Sequence, residues 1–247
     1  RGPFVFVIDT GAGLNVVSDW LVTAAGLRIA QTRQTLVGGL SGATTSSNRE
    51  AAIDTLALGY QTNLMPPGKS ALIVSQLPAG VDGILDPTEA FAPYGYSIDM
   101  PRGQIEALDS AAELSHRSSS GDATVDWLRR GDSGRPFVRL GDGRLALIDT
   151  GSRFGLAVSD RQIIVIGGNK TPHTIPSLDL GGGTINARRV APTTISIGGL
   201  VLRGIPTDIL SGVAVDAPLI LGRDALYPFK ISFDPRRKSI TFTSSEK

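Results

Sequence analysis

The sequence predicts an all-β chain made of two duplicated lobes related by a pseudo-two-fold axis, and three observations lead there. The tetrapeptide Ile-Asp-Thr-Gly occurs twice, in FVFVIDTGA from Phe4 and in RLALIDTGS from Arg144, each time closing an apolar run. Further landmarks repeat downstream in the same order. Thirty glycines and fifteen prolines are spread along the 247 residues, the pattern of many tight turns between short strands.

The repeat extends well beyond the tetrapeptide. Asp9 matches Asp149 at an offset of 140 residues, and Gly38-Gly39 matches Gly181-Gly182 at 143. Gly59 then matches Gly198 at 139, Ile84 matches Ile220 at 136, and Asp99 matches Asp234 at 135. A given tripeptide such as Asp-Thr-Gly turns up by chance in about one chain of this length in twenty, so an ordered series with so little drift marks a duplication. The lobes are expected at 1–110 and 135–247. A linker over 111–134 carries the flexible run Ser118-Ser119-Ser120-Gly121.

Within each lobe the apolar pattern sets the elements. Phe4 to Ile8 and Leu145 to Ile148 are continuous apolar runs, which suit strands buried on both faces. Thr55–Leu58 and Thr194–Ile197 alternate, as half-buried strands do. Short helices are expected at Thr88–Phe91 and Asp224–Tyr227. The basic run Arg236-Arg237-Lys238 follows Asp234-Pro235 and reads as a solvated hairpin tip. Trp20 and Trp127 read as packing residues. Only Arg1-Gly2-Pro3 and the apolar run precede the first repeat, whereas PFVRLGDGRLAL precedes the second. A leading strand and a targeting sequence are therefore expected to have been removed ahead of Arg1.

Composition excludes several chemistries. A formal net charge of +1 supplies no broad field for nucleic acid or a membrane surface. Without cysteine there is no disulfide, thiolate metal site or cysteine nucleophile, and two histidines, His116 and His173, do not make a multi-histidine metal site. No apolar stretch approaches the length of a membrane span. No metal and no cofactor are expected. Gly131 to Pro136 reads GDSGRP, like the nucleophile segment of chymotrypsin-like serine proteases. That mechanism needs a histidine base far upstream, and His116 is too close, so the segment reads as a turn.

An apolar strand ending in Asp-Thr-Gly carries a carboxylate into a tight turn, where glycine permits unusual backbone geometry and a threonine hydroxyl can brace the loop. If two such turns meet on the axis, Asp9 and Asp149 face each other and cannot both ionise at ordinary pH. One carboxyl is then a base for a water and the other an acid that polarises a carbonyl. This chemistry hydrolyses a peptide bond without metal or covalent intermediate.

These features resemble the aspartic proteases of the pepsin/retropepsin group: two Asp-Thr-Gly turns in apolar settings, and an apolar-apolar-Gly block at Leu221-Gly222. The resemblance implies a single-chain, bilobal, bacterial-type endopeptidase with short retropepsin-like β-barrel lobes in a pepsin-like arrangement. Its catalytic residues would be Asp9 and Asp149, positioned by Thr10, Gly11, Ala12, Thr150, Gly151 and Ser152. It also implies two glycine-rich flaps over a polypeptide substrate, Gly38, Gly39, Leu40, Ser41 and Gly42 on one side and Gly181, Gly182, Gly183, Thr184 and Ile185 on the other. A monomer acting in a secreted or periplasmic location is expected. The alternative is a catalytically weak protease-like binding or regulatory module.

The sequence departs from the family pattern in three places. Neither flap has a tyrosine. Asp86 stands in Ile84-Leu85-Asp86 where the family expects glycine. The residue after Asp-Thr-Gly is Ala12 in one lobe and Ser152 in the other. A Ser152 hydroxyl bonded to ionised Asp149 would leave Asp9 as the carboxyl that holds the proton longer.

Overall fold

A computed structural model describes residues 2–59, 65–108, 122–131, 133–162, 174–178 and 182–244. The first lobe runs β1 (Phe6–Ile8), β2 (Val16–Ser18), α1 (Asp19–Ala25), β3 (Arg28–Gly38), β4 (Thr44–Ile53), β5 (Lys69–Val74), β6 (Gly83–Leu85), α2 (Pro87–Phe91), β7 (Gly95–Asp99) and β8 (Gln104–Leu108). After β9 (Ala123–Asp126) come β10 (Phe137–Arg139), β11 (Leu145–Asp149), β12 (Leu156–Ser159), β13 (Thr174–Leu178), β14 (Thr184–Ile197), β15 (Leu200–Ser211), β16 (Leu219–Gly222), α3 (Arg223–Leu226), β17 (Phe229–Asp234) and β18 (Ser239–Ser244).

Sheet order makes the duplication explicit. The first sheet is β1-β6-β2-β5-β4-β3, and the second is β10-β11-β16-β12-β15-β14-β13. Apart from β10, each strand of the second sheet has its counterpart at the same place in the first. Register agrees as well: β1 lies parallel to β6 with Ile8 opposite Leu85, and β11 lies parallel to β16 with Ile148 opposite Leu221.

The third sheet joins the lobes in the order β8-β7-β17-β18-β9. Its centre is the antiparallel pair β7–β17, where Ser97 faces Ser232, Ile98 faces Ile231 and Tyr96 faces Phe233. Ser97 and Ser232 are themselves equivalent at the offset that relates Asp99 to Asp234. The pseudo-two-fold axis therefore passes through this pair.

Alternation places the core. Along β5, Ala71 and Ile73 join Val17, Leu21, Val22, Ala51 and Ile53, while Leu72 and Val74 pack on the other side with Val16, Val37 and Ile84; both faces of the strand are covered, as an apolar run requires. The largest cluster spans the lobes and includes Leu85, Tyr96, Ile148, Leu221, Phe233 and Phe242. Its aromatic centre is Tyr96 stacked on Phe233 at 4.6 Å, with Trp127 edge-on to the same ring.

Several local expectations meet the structure directly. The helices at 88–91 and 224–227 appear as α2 and α3, shifted by one residue or less. Asp234 Oδ1 accepts the Arg236 and Arg237 amides at 2.9 and 3.0 Å, so the basic run forms the exposed β17–β18 turn. Thr194–Ile197 is the end of β14, but Thr55–Leu58 is not a strand: β4 stops at Ile53, and Leu56 and Leu58 fold onto the core from an irregular stretch. Trp127 is buried at 5% exposure, whereas Trp20 is 60% exposed and packs with Phe4 in a T-shaped contact. Much of the linker, at 109–121, and both histidines lie outside the described residues.

Candidate active site

Each Asp-Thr-Gly turn is held by the opposite lobe. Thr10 Oγ1 donates to Ile148 O at 2.7 Å and accepts the Thr150 amide at 3.1 Å. Thr150 Oγ1 donates to Ile8 O at 2.8 Å and accepts the Thr10 amide at 3.2 Å. Both threonines are buried, at 0% and 5% exposure, so each bond is made where water does not compete for it. The hydroxyls brace the partner turn rather than their own.

That lock brings the carboxyls together. Gly11 N–H donates to Asp9 Oδ1 at 2.8 Å, and Ser152 N–H donates to Asp149 Oδ1 at 2.9 Å. A Cβ on Gly11 would stand 2.7 Å from Asp149 Cγ, and one on Gly151 would come closer still to Asp9 Cγ. Only glycine leaves room for this approach. The two carboxyls hydrogen-bond to each other on the axis, half-buried from solvent and walled by protein elsewhere.

Burial pushes both carboxyls above the ordinary carboxylate range, against the amide bonds that favour their charged forms. At Asp149 the charge of Asp9 acts in the same direction as burial. Protons therefore leave the pair in coupled steps that belong to both carboxyls together. The Ser152 hydroxyl makes a different bond from the one expected of it in the sequence. Ser152 Oγ accepts the Phe154 amide at 3.3 Å, while it is the Ser152 backbone that bonds Asp149.

Directly behind the first turn, Asp9 N–H donates to Leu85 O at 2.9 Å. The next residue, Asp86, is 1% exposed and caps α2 through Thr88 N–H to Oδ1 at 2.9 Å. Its own amide donates to Asn15 Oδ1 at 3.0 Å. The register places Gly222 at the equivalent site of the second lobe, where a Cβ would meet Phe154 O at 2.5 Å and α3 has no side-chain cap. An acidic residue is thus accommodated under Asp9 without displacing the strand that carries it.

The segment expected to form the first flap is the turn of the β3–β4 hairpin. Gly39 donates to Ala43 O at 3.0 Å, Gly42 donates to Gly39 O at 3.1 Å, and Ser41 Oγ accepts the Ala43 amide at 3.0 Å. Its tip reaches the second lobe: Leu40 O accepts the Ala214 amide at 2.9 Å, and the Leu40 side chain packs with Phe154 and Ala214 on the second lobe's core. Gly38 and Gly42 are exposed. On the other side, a Cβ on Gly183 would stand 2.8 Å from Ala43 Cβ, so the two flap tips touch. Gly182 and Thr184 are exposed, Ile185 is buried in the second core beside Ala157 and Leu210, and Gly181 lies outside the described residues.

The segment read as a turn also borders the site. Arg135 lies along Gly13, where a Cβ would stand 3.4 Å from Arg135 Cδ, and Arg135 Nε donates to Ser133 Oγ at 2.9 Å. Its proximity to the first Asp-Thr-Gly turn is a tertiary fact with no local signal in GDSGRP. Ala12 packs beside Val7 and Leu14 against the first lobe's apolar cluster.

With this geometry in place, the comparisons with known proteins fall on the same fold. Residues 1–85 match a family model described as aspartyl protease. The chain resembles the aspartic proteases, and its fold is pepsin-like. Basic 7S globulin from soybean superposes with a TM-score of 0.50 at 10% identity, over 97% of this chain and 87% of that one. Conglutin gamma, a basic 7S globulin from lupine seeds, superposes with a TM-score of 0.52 at 12% identity, over 98% of this chain and 88% of that one. No curated protein sequence matches the chain. Among the described residues no helix is long and apolar enough to cross a membrane.

Proposed function

We propose that the chain is an aspartic endopeptidase in which Asp9 and Asp149 together activate a water against a peptide carbonyl. The observation that carries this reading is the reciprocal lock, which seats each carboxyl against the glycine of the opposite turn. A singly protonated pair does the chemistry. The ionised carboxylate takes a proton from water as its oxygen bonds to the carbonyl carbon, and the protonated partner gives its proton to the carbonyl oxygen. The resulting gem-diol collapses as its C–N bond breaks, with the nitrogen leaving protonated and the pair returned to one shared proton.

An extended substrate would lie between the dyad and the flap tips as an added strand, bonded through its backbone. Leu40 and the Phe154–Ala214 face make the neighbouring wall apolar, which favours apolar side chains near the scissile bond. The test is cleavage of a mixed peptide library from pH 3 to 7 by the wild type and by Asp149→Asn. Cutting by the wild type alone supports the dyad. A folded wild type that cuts nothing across that range refutes it.

A binding or regulatory role is the second reading. It is favoured by the two similar solved structures being named as globulins and by a first flap closed onto the second lobe. Fold by itself does not choose between them. A statine-type transition-state analogue that raises the melting temperature without measurable turnover would favour this second reading.

A further inference from the structure

Apart from β10 the two lobe sheets match strand for strand, yet beneath the catalytic turns one carries a carboxyl and the other only hydrogen. Asp86 is buried at the end of β6, one residue beyond the carbonyl that fixes the Asp9 amide. The groups that face it are Thr88 and Glu89 on α2, Asp9 on the catalytic turn, Tyr96 on β7 and Asn15 ahead of β2. None is cationic, and among the described residues Asp86 forms no ion pair. A buried carboxyl so placed is stable as the neutral acid, and it ionises only against Asp9 and Glu89.

We propose that Asp86 is a positioning residue for the dyad, a third carboxyl whose charge sets how far toward neutral pH Asp9 and Asp149 keep their shared proton. The inference rests on the protease reading for its effect on turnover, though not for the titration itself. Burial first, and then the charges of Glu89 and Asp9, push the Asp86 carboxyl up to about 7, opposed by the Thr88 amide. At acid pH Asp86 is therefore neutral and leaves the pair undisturbed. As it ionises, its negative charge beside Asp9 makes the doubly ionised pair costlier, and the last dyad proton is held to higher pH. Coupling of this kind is reciprocal, so the charge of Asp9 also delays ionisation of Asp86.

One limb of the pH profile should therefore respond and the other should not. In Asp86→Asn the basic limb of kcat/KM is expected to move to lower pH by several tenths of a unit or more, with the acid limb fixed. A purely structural role would scale the whole profile instead. Titration of the carboxyl carbons by NMR on aspartate-labelled wild-type protein separates the parts of the argument and needs neither turnover nor the variant. Asp86 is expected to titrate near neutral pH, and its midpoint is expected to fall in Asp9→Asn. An Asp86 carboxyl that titrates with ordinary surface aspartates, or is indifferent to Asp9→Asn, overturns the proposal, as does a basic limb unmoved in folded Asp86→Asn. A wild type that cuts nothing while Asp86 shows the coupled titration overturns the protease reading and leaves the carboxyl coupling standing.

Discussion

The two lobes share a sheet order but differ in what lies beneath their Asp-Thr-Gly turns. In the second lobe Gly222 is pressed between Ser152 and Phe154, whereas in the first Asp86 occupies the equivalent place and caps a helix. The difference is steric before it is electrostatic. Asn15 takes up the Asp86 amide through its side chain, while Gly222 N–H donates to the Gly155 carbonyl at 2.9 Å and must lie close to that backbone. Duplication thus preserved the outer symmetry needed to bring two carboxyls together, and let the supporting layer diverge where one lobe had room for a side chain.

The largest expected effect tests whether the symmetric part acts as one unit. Asp9→Asn and Asp149→Asn should each lower kcat/KM by about 10²- to 10⁴-fold, the usual range for removing a positioned acid or base, and the double variant should lose little more than either single one. Peptide cleavage assays at pH 4 to 5 measure all three. Single-variant losses that multiply in the double variant would show that the lobes contribute separately.

Next comes the asymmetric layer, through stability. Asp9, Asp149 and Asp86 all have their pKa values raised by folding, so the stability they confer is full below pH 3.8 and is lost as pH rises through their folded values. The wild type should therefore melt at a lower temperature at pH 7.5 than at pH 4.5. Asp86→Asn should recover on the order of 2–4 kcal/mol of that loss, since raising a carboxyl's pKa by one on folding costs the ionised form about 1.4 kcal/mol. The reverse exchange, Gly222→Asp, should destabilise at every pH, because its Cβ would strike Phe154 O. Thermal melts across the pH range decide both, and a flat wild-type profile would remove the electrostatic half of the comparison.

A smaller effect probes the lock itself. Thr10→Val and Thr150→Val each take away one hydroxyl that donates to the opposite strand and accepts the opposite amide. Each should cost about 1–3 kcal/mol, the penalty for stranding buried hydrogen-bonding groups, and serine at either position should restore much of it. Denaturant unfolding of the single and double variants measures the coupling between them. Additive costs would mean that the turns are supported independently after all.

Much of this arrangement is legible in the sequence because duplication writes it twice. The ordered offsets align Asp9 with Asp149 and Ile84 with Ile220, and these are the strands that the structure pairs in matching register. What escapes the sequence is contact across the axis. Nothing local in Thr10 says that its hydroxyl serves Ile148, nothing in GDSGRP says that Arg135 lies on Gly13, and nothing in Leu40 says that it leaves its own hairpin for the second core. Asp86 is intermediate. Its departure from the repeat is visible in the sequence, but its burial and its missing counter-charge emerge only when α2 folds against β7. Thr55–Leu58 fails for another reason, since alternation marks sidedness, whereas the stretch is tied only by isolated backbone contacts such as Met65 N–H to Leu56 O.

The smallest expected effect concerns the one position where the two turns differ chemically on the dyad side. A hydroxyl at residue 152 looks, from sequence, like a donor to Asp149, and losing it should then raise the pKa of that carboxyl and shift the acid limb of the pH–rate profile upward. In the structure the hydroxyl oxygen accepts the Phe154 amide instead, and Asp149 keeps the Ser152 backbone amide whatever the side chain. Ser152→Ala should therefore leave both limbs in place and cost only about 0.5–1.5 kcal/mol for the lost bond to Phe154. A shifted acid limb with unchanged stability would mean that the hydroxyl turns toward Asp149 in the working enzyme. Proton holding within the pair would then be set in part by the turns themselves, and not by burial alone.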